Sequence, residues 1–192
     1  MPFAVYGARR EAIGAILRNG LTRGDNAHIV MLTERPADEA FAAVHSASAA
    51  YFYIDVRTAL EAGVEFLEAG HGVILCAGDA NGRLMPTLFD LVVELGGALS
   101  AAAPYKQPLV RTIERLFRGC SRVTVDTLST GNGGAASLVL QTRTYDRAGR
   151  PNEPSVTRFD TGLATIEEVQ RTGQISRCVP VCHGRCLPAW HQ

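Results

Sequence analysis

The stretch YFYIDVRTALEAGVEFLEAGHGVILC, residues 51–76, decides the fold. Its first six residues are aromatic and β-branched, the composition of a strand. Residues 58–63 then predict a helical turn, and residues 72–76 a second, buried strand. Downstream, DANG (79–82) is a turn cluster. Residues 86–95, PTLFDLVVEL, read as a helix that starts near Pro86. Upstream, Ala12, Ile13, Ile16 and Leu17 recur at helical spacing within residues 9–19, and Gly20 stands where a helix C-cap belongs. Residues 28–32 form a short apolar run suited to a buried strand, and the Ala- and acid-rich residues 36–43 predict a helix. The first hundred residues therefore alternate helix and strand.

The second half has a different texture. Residues 96–108 are rich in Gly and Ala and almost uncharged, which reads as a linker. Residues 109–118 predict a helix with apolar Leu109, Val110, Ile113, Leu116 and Phe117, and with Arg111, Arg115, Arg118 and Arg122 as an arginine stripe. A solvated helix face is the simpler account of that stripe, and an RNA contact the other. Residues 123–128, 137–144 and 155–159 read as strands, the first two around the turn at 131–134.

Composition limits the function classes. The chain has 192 residues, 46% of them hydrophobic, with 19 basic against 19 acidic side chains. A chain this long buries roughly 70% of its unfolded surface and needs no disulfide or metal merely to fold. Zero formal charge removes the simplest case for a general nucleic-acid binder, although a local basic patch stays open. No apolar run reaches the ~20 residues of a membrane helix, and no secretory signal is visible at the N-terminus. The expectation is a soluble, intracellular, non-secreted protein without a membrane partner. Five cysteines and no signal peptide argue for reduced thiols. Lys106 is the only lysine among the 19 basic residues; such an arginine bias suits phosphate recognition, but more often reflects codon composition.

Two spacings offer chemistry. Gly131, Asn132, Gly133 and Gly134 lack the Lys-Ser/Thr of a P-loop and the G-x-G-x-x-G pattern, so they read as a hairpin turn. Cys178, Cys182, His183 and Cys186 supply enough thiolates and imidazole for a tetrahedral Zn²⁺. The adjacency of Cys182 and His183 makes that geometry awkward, and paired C-x₂-C units are absent. A thiol-bearing tail is the plainer reading, with metal as the alternative.

Residues 52–75, continuing to GRLMPTLF (82–89), resemble the C-terminal lobe of the KptA-type RNA 2′-phosphotransferases. That family has a strand ending in an acidic residue, a short helix, a "G-hydrophobic-x-F" stretch, an "N-G-V" strand and a "P-x-x-F" segment. YGARR (6–10), with Ile13, Ile16 and Gly20-Leu21, is similar to the family's "H-G-T" turn and following helix. HIVMLT (28–33) falls where the family has "R-x-H/Y-V-H-L-S". The likeness covers about residues 4–90.

The resemblance implies an α+β fold: an ADP-ribosyltransferase-like split β-sheet lobe with flanking helices, here followed by a C-terminal β-rich extension. The implied organisation is an NAD-binding lobe at 1–98, a helix plus β-hairpin extension at 99–176, and a Cys-rich tail at 177–192. It also implies the chemistry. A splice-junction 2′-phosphate on tRNA attacks the nicotinamide riboside carbon of NAD⁺ as nicotinamide leaves, and the ADP-ribose 2″-hydroxyl then displaces the RNA, giving a 2′-OH and ADP-ribose cyclic phosphate. Such a step needs cationic groups around the phosphate and a pocket that orients the riboside. Carried over to this sequence, Tyr6, Gly7, Phe66, Gly72 and Val73 would bind the cofactor, and Arg23, His28 and His71 would form the catalytic set.

Several family positions are replaced. Tyr6 stands for the motif histidine, Ala8 for its threonine, Asn26 for an arginine, Met31 for the strand histidine and His71 for an asparagine. Asp55 matches an acidic position, with helix capping as its simpler role. The family's N-terminal lobe, which supplies further phosphate contacts, has no counterpart here, so those contacts are expected from a missing lobe or a protein partner. Two functions follow: an NAD⁺-dependent RNA 2′-phosphotransferase, or a catalytically degenerate member that binds nucleotide or RNA within an RNA-processing assembly.

Overall fold

The computed structural model describes residues 3–33, 47–97, 99, 103–130 and 137–160. Strand β1 (Phe3–Ala8) leads into helix α1 (Arg10–Asn19), then β2 (Leu21–Thr22) and β3 (Ile29–Thr33). Strand β4 (Ala50–Asp55) runs directly into α2 (Val56–Glu61), followed by β5 (Phe66–Glu68), β6 (Val73–Cys76) and β7 (Arg83–Leu84). A 3₁₀ turn (Pro86–Leu88) opens β8 (Phe89–Leu95); α3 (Ala103–Leu116), β9 (Arg122–Thr130), β10 (Ser137–Tyr145) and β11 (Ser155–Asp160) complete the order. One nine-stranded sheet runs β11-β10-β9-β8-β4-β1-β3-β6-β5, antiparallel except where β8 and β9 pair in parallel. β2 and β7 make a separate two-stranded ribbon. This is a mixed fold dominated by a largely antiparallel sheet, compatible with the α+β expectation. The helix expected at 36–43 and the turn at 131–134 lie outside the described residues.

Side chains alternate across the sheet and so build two cores. On one face Ala4, Ala8, Met31, Phe52, Ile54, Ile74 and Val92 pack beneath Ile13 and Ile16 of α1 and Val56 and Ala59 of α2. On the other face Val5, Tyr51, Tyr53, Leu91, Val93, Leu95, Val123 and Val125 pack against Leu109, Val110, Ile113 and Phe117 of α3. β4 and β8 feed both cores, which explains their continuous apolar sequence.

That double burial corrects one expectation. Residues 86–95 are not a helix: only Pro86–Leu88 turn, and Phe89–Leu95 is a strand. A short apolar run buried on both faces has no period-2 signature, so its sequence resembles a buried helix. The expected linker is also partly helical, because α3 begins at Ala103 and ends at Leu116. The three C-terminal strands form as expected, and they join the main sheet through Val92↔Arg122 to Leu95↔Val125.

The end of α1 shows why a glycine is required there. Gly20 has φ 82° and ψ 179°, a conformation open essentially to glycine alone, and its N–H donates to the Ile16 carbonyl at 2.8 Å. A Cβ on Gly20 would lie 2.1 Å from the Leu84 carbonyl oxygen. Gly24 (φ 56°) has nothing within 4 Å of such a Cβ. Gly20→Ala is therefore expected to lose about 3 kcal/mol or more of stability and Gly24→Ala about 1 kcal/mol, measured by urea unfolding. Equal losses at the two sites would refute this account of the α1 terminus.

Candidate functional site

The sheet is weakly joined at one place. β1 pairs with β4 along all six residues, Phe3↔Asp55 to Ala8↔Ala50, but with β3 only at Ala4↔Thr33 and Val5↔Leu32. The Thr33 N–H donates to the Gly72 carbonyl at 2.8 Å, so Thr33 turns its backbone groups toward β6 and Leu32 turns its own toward β1. By alternation, Gly7 and Val30 are the next pair that would exchange backbone bonds, and their pairing is not formed. The backbone of Gly7 thus faces an opening between the two strands. Val30, at its edge, is 43% exposed. Tyr6 is half-buried and packs on the core beneath α1.

Two loops stand at the same end of the strands. The Arg23 N–H donates to the Gly82 carbonyl at 3.0 Å, and one Arg23 guanidinium nitrogen donates to the Ala27 carbonyl at 3.2 Å. Gly82 has φ 71°, and a Cβ there would lie 2.5 Å from Arg23 Nε. The missing side chain is what lets the arginine stem cross the loop. His28 is half-buried and immediately precedes β3. Phe66, opposite Cys76 and therefore in the row of Ile29, packs against the core rather than standing free.

The remaining expected residues lie at the far end of β3. Leu32↔Val73 and the Thr33–Gly72 bond put Gly72 and Val73 level with Ala4 and Val5 on the far side of β3, about 10 Å along the strand from Ile29. His71 is exposed, with φ 53°, and Gly72 follows with φ 78°. The Val73 N–H donates to the Gly70 carbonyl at 2.9 Å. Positive φ at both central residues is the hairpin turn for which Asn-Gly is the preferred dipeptide, so turn geometry accounts for the asparagine-like position at His71. Met31, at the family's strand-histidine position, is fully buried in the core.

Two carboxylates, Asp55 and Asp90, are among the perturbed groups. Asp55 caps α2: its Oδ1 accepts from the Thr58 N–H at 3.0 Å and its Oδ2 from Thr58 Oγ1 at 2.8 Å. The Thr58 backbone hydrogen bond, with the hydroxyl contact and Arg57, holds its carboxyl below the usual range. Asp90 is the extra residue of a β-bulge, because Tyr53 pairs with Leu91 and Ile54 with Phe89. Burial first, and the Asp55 charge second, push its carboxyl up, partly offset by Arg147 and Arg118. Nothing in the sequence of β8 marked Asp90, because its environment comes from three distant segments, those of Asp55, Arg118 and Arg147.

Of the arginine stripe, Arg122 does not belong to the helix that carries Arg111 and Arg115. Arg118 Nε pairs with the buried Glu114, and its guanidinium lies 5.3 Å from the Phe3 ring centroid. Arg122 instead belongs to β9 and pairs with Glu94 on β8 at 2.6 Å. The tail residues Cys178, Cys182, His183 and Cys186 lie outside the described residues. Among the described residues, no three His, Cys, Asp or Glu side chains gather as metal ligands. No helix among them is long and apolar enough to cross a membrane.

Comparison with known proteins adds a partial family match. Residues 1–78 match the family model for RNA 2′-phosphotransferase, Tpt1 / KptA family. A Schizosaccharomyces pombe (strain 972 / ATCC 24843) protein described as "Putative tRNA 2'-phosphotransferase" is 33% identical over 93 residues. The match covers 48% of this chain and 25% of that protein, so the chain spans about a quarter of its relative's length.

Two outcomes test the local geometry. His71→Asn is expected to stabilise the protein by about 0.5 kcal/mol, because Asn adopts positive φ more readily in this turn; a destabilised variant in thermal melts would contradict the turn assignment. Asp90 has a raised carboxyl in the folded state, so its contribution to stability is present below the unfolded carboxylate range and is lost as pH rises through the folded value. Asp90→Asn is therefore expected to raise the urea midpoint at neutral pH and to have little effect in acid. The same change at both pH values would exclude the ionised carboxylate as its cause.

Proposed function

We propose that residues 1–98 form the NAD⁺-binding, ADP-ribosyltransferase-like lobe of an RNA 2′-phosphotransferase acting on a splice-junction 2′-phosphate of tRNA. The observation that carries this reading is the interrupted β1–β3 pairing at Gly7, within the segment that matches the family. A flat carboxamide placed in the opening would meet the Gly7 N–H and C=O in place of the missing strand neighbour. NAD⁺ would supply the ribosyl carbon that accepts the RNA phosphate as nicotinamide leaves.

The protein's own groups then divide by position. Arg23 carries a permanent positive charge on a stem fixed by Ala27 and Gly82, suited to a phosphate beside the opening. His28 lies on the same rim and would hydrogen-bond that phosphate. Tyr6 would border the nucleotide, and Phe66 would support the wall through the core. Gly72 and Val73 would shape the opening's distant end, and His71 would act through the turn rather than on the reacting atoms.

A second reading has an observation of its own. Met31, fully buried, offers no polar group where the family has a histidine, and Tyr6 cannot do imidazole's work. The lobe would then bind NAD⁺ or RNA without turnover, as a subunit of an RNA-processing assembly whose other parts supply the phosphate contacts.

Calorimetric NAD⁺ titration, together with an assay for ADP-ribose cyclic phosphate from RNA bearing one internal 2′-phosphate, separates the readings. Product is expected from the first, with Arg23→Ala and His28→Ala each lowering kcat/KM by about 10-fold to 100-fold and His71→Asn leaving it within about 2-fold. NAD⁺ binding without product selects the second reading. Neither signal would overturn both.

A further inference from the structure

The outer strands β9 and β10 have one face covered by a helix and, among the described residues, one face without. α3 packs on the face of Val123 and Val125. The core beneath α1 and α2 contains no residue of β9 or β10, so among the described residues the opposite face of these strands carries no helix. Register fixes what stands there. Tyr6↔Phe52, Phe52↔Val92, Val92↔Arg122 and Arg122↔Tyr145 form one row. Ala8↔Ala50, Ala50↔Glu94, Glu94↔Thr124 and Thr124↔Arg143 form the next. Directly opposed residues share a face, so Arg122, Tyr145, Thr124 and Arg143 lie on the same side and at the same level as Tyr6 and Ala8. β10 is four inter-strand spacings from β1, about 19 Å.

The side chains on this open face are polar and planar. The Arg122 guanidinium lies 4.8 Å from the Tyr145 ring centroid, and Glu94 accounts for its charge. Arg143 is exposed in the adjoining row, and Thr124 and Gln141 are half-buried beside it. Between this face and the opening at Gly7 stands the start of α1, with Arg9 and Arg10 exposed. An Arg10 guanidinium nitrogen donates to the Leu95 carbonyl at 2.7 Å, tying α1 to the end of β8. Glu11 and Asp126 are the exposed acids nearby, so the patch is only locally basic.

We propose that this face is a single-stranded RNA platform, reached from the opening at Gly7 past the start of α1, on which nucleotides flanking the reacting position lie across β9 and β10. Tyr145 with its stacked Arg122 offers a base a planar partner, which is how sheet surfaces hold unpaired nucleotides. Arg143, Arg9 and Arg10 supply the phosphate contacts. A protein partner would want an apolar centre, and in these two rows β9 and β10 carry Arg122, Tyr145, Thr124 and Arg143 instead. The inference takes only the RNA class of ligand from the proposed function.

The test is fluorescence anisotropy of the full chain with a short labelled single-stranded RNA that carries no 2′-phosphate, with NAD⁺ absent. Arg143→Glu is expected to weaken binding by about 10-fold or more and to reduce the salt dependence by about one phosphate contact. Arg115→Glu, on the exposed side of α3 across the sheet, is expected to change affinity by less than about 2-fold. Photocross-linking of the unaltered chain should attach RNA at Tyr145. No RNA binding, equal losses in the two variants, or cross-links confined to α3 would overturn the platform, as would cross-linking at Tyr145 abolished by neither salt nor Arg143→Glu. Failure of turnover with Arg143-dependent binding intact would sink the proposed activity and leave the platform standing.

Discussion

The pairing of β1 with β4 along six residues is the constraint on which the rest of the molecule depends. It holds the motif-bearing strand rigid on one edge while its other edge meets β3 at only two positions. Backbone groups in a sheet interior normally find a strand partner, because an unpaired N–H or C=O away from water is costly. An interruption inside the sheet therefore creates a place where backbone hydrogen bonding is left for something other than a strand. Gly7 suits this position, since any side chain would narrow the approach to the backbone.

Both cores support that arrangement. β4 and β8 are buried on both faces, so α1 and α2 press from one side and α3 from the other. Arg10, bonded to the carbonyl of Leu95, links the helix after β1 to a strand 85 residues later. The opening is thus bordered by rigid elements on the β4 side and by loops on the β3 side, where Arg23 and Gly82 pack. This division suits a site whose backbone contacts must be fixed and whose charged contacts come from loops.

Much of the fold was legible in the sequence because the signals were local. Tyr51 to Val56 carried strand composition, Ile13 and Ile16 carried helical period, and Gly20 marked a terminus whose backbone only glycine adopts. The misreading of β8 has an equally local cause: Leu91, Val92 and Val93 serve two cores at once, and nothing within ten residues shows that a sheet continues on both sides. The candidate site was legible as a family resemblance, which named Tyr6, Gly7, Arg23, His28 and His71 but not their separation. Asp90 and the Glu94–Arg122 pair were invisible, because each depends on partners brought from other strands.

The sequence by itself determined the residue types, the glycine-dependent turns, the apolar repeats of the helices and the likeness of its first half to the RNA 2′-phosphotransferases. Tertiary structure decided what those residues do together. Register placed His71 in a hairpin turn at the far end of β3 from His28, and parallel pairing of β8 with β9 carried Arg122 and Tyr145 into line with Tyr6. The physical reason is that strand pairing joins residues distant in the chain, and its register follows from the burial of whole faces rather than from any short motif.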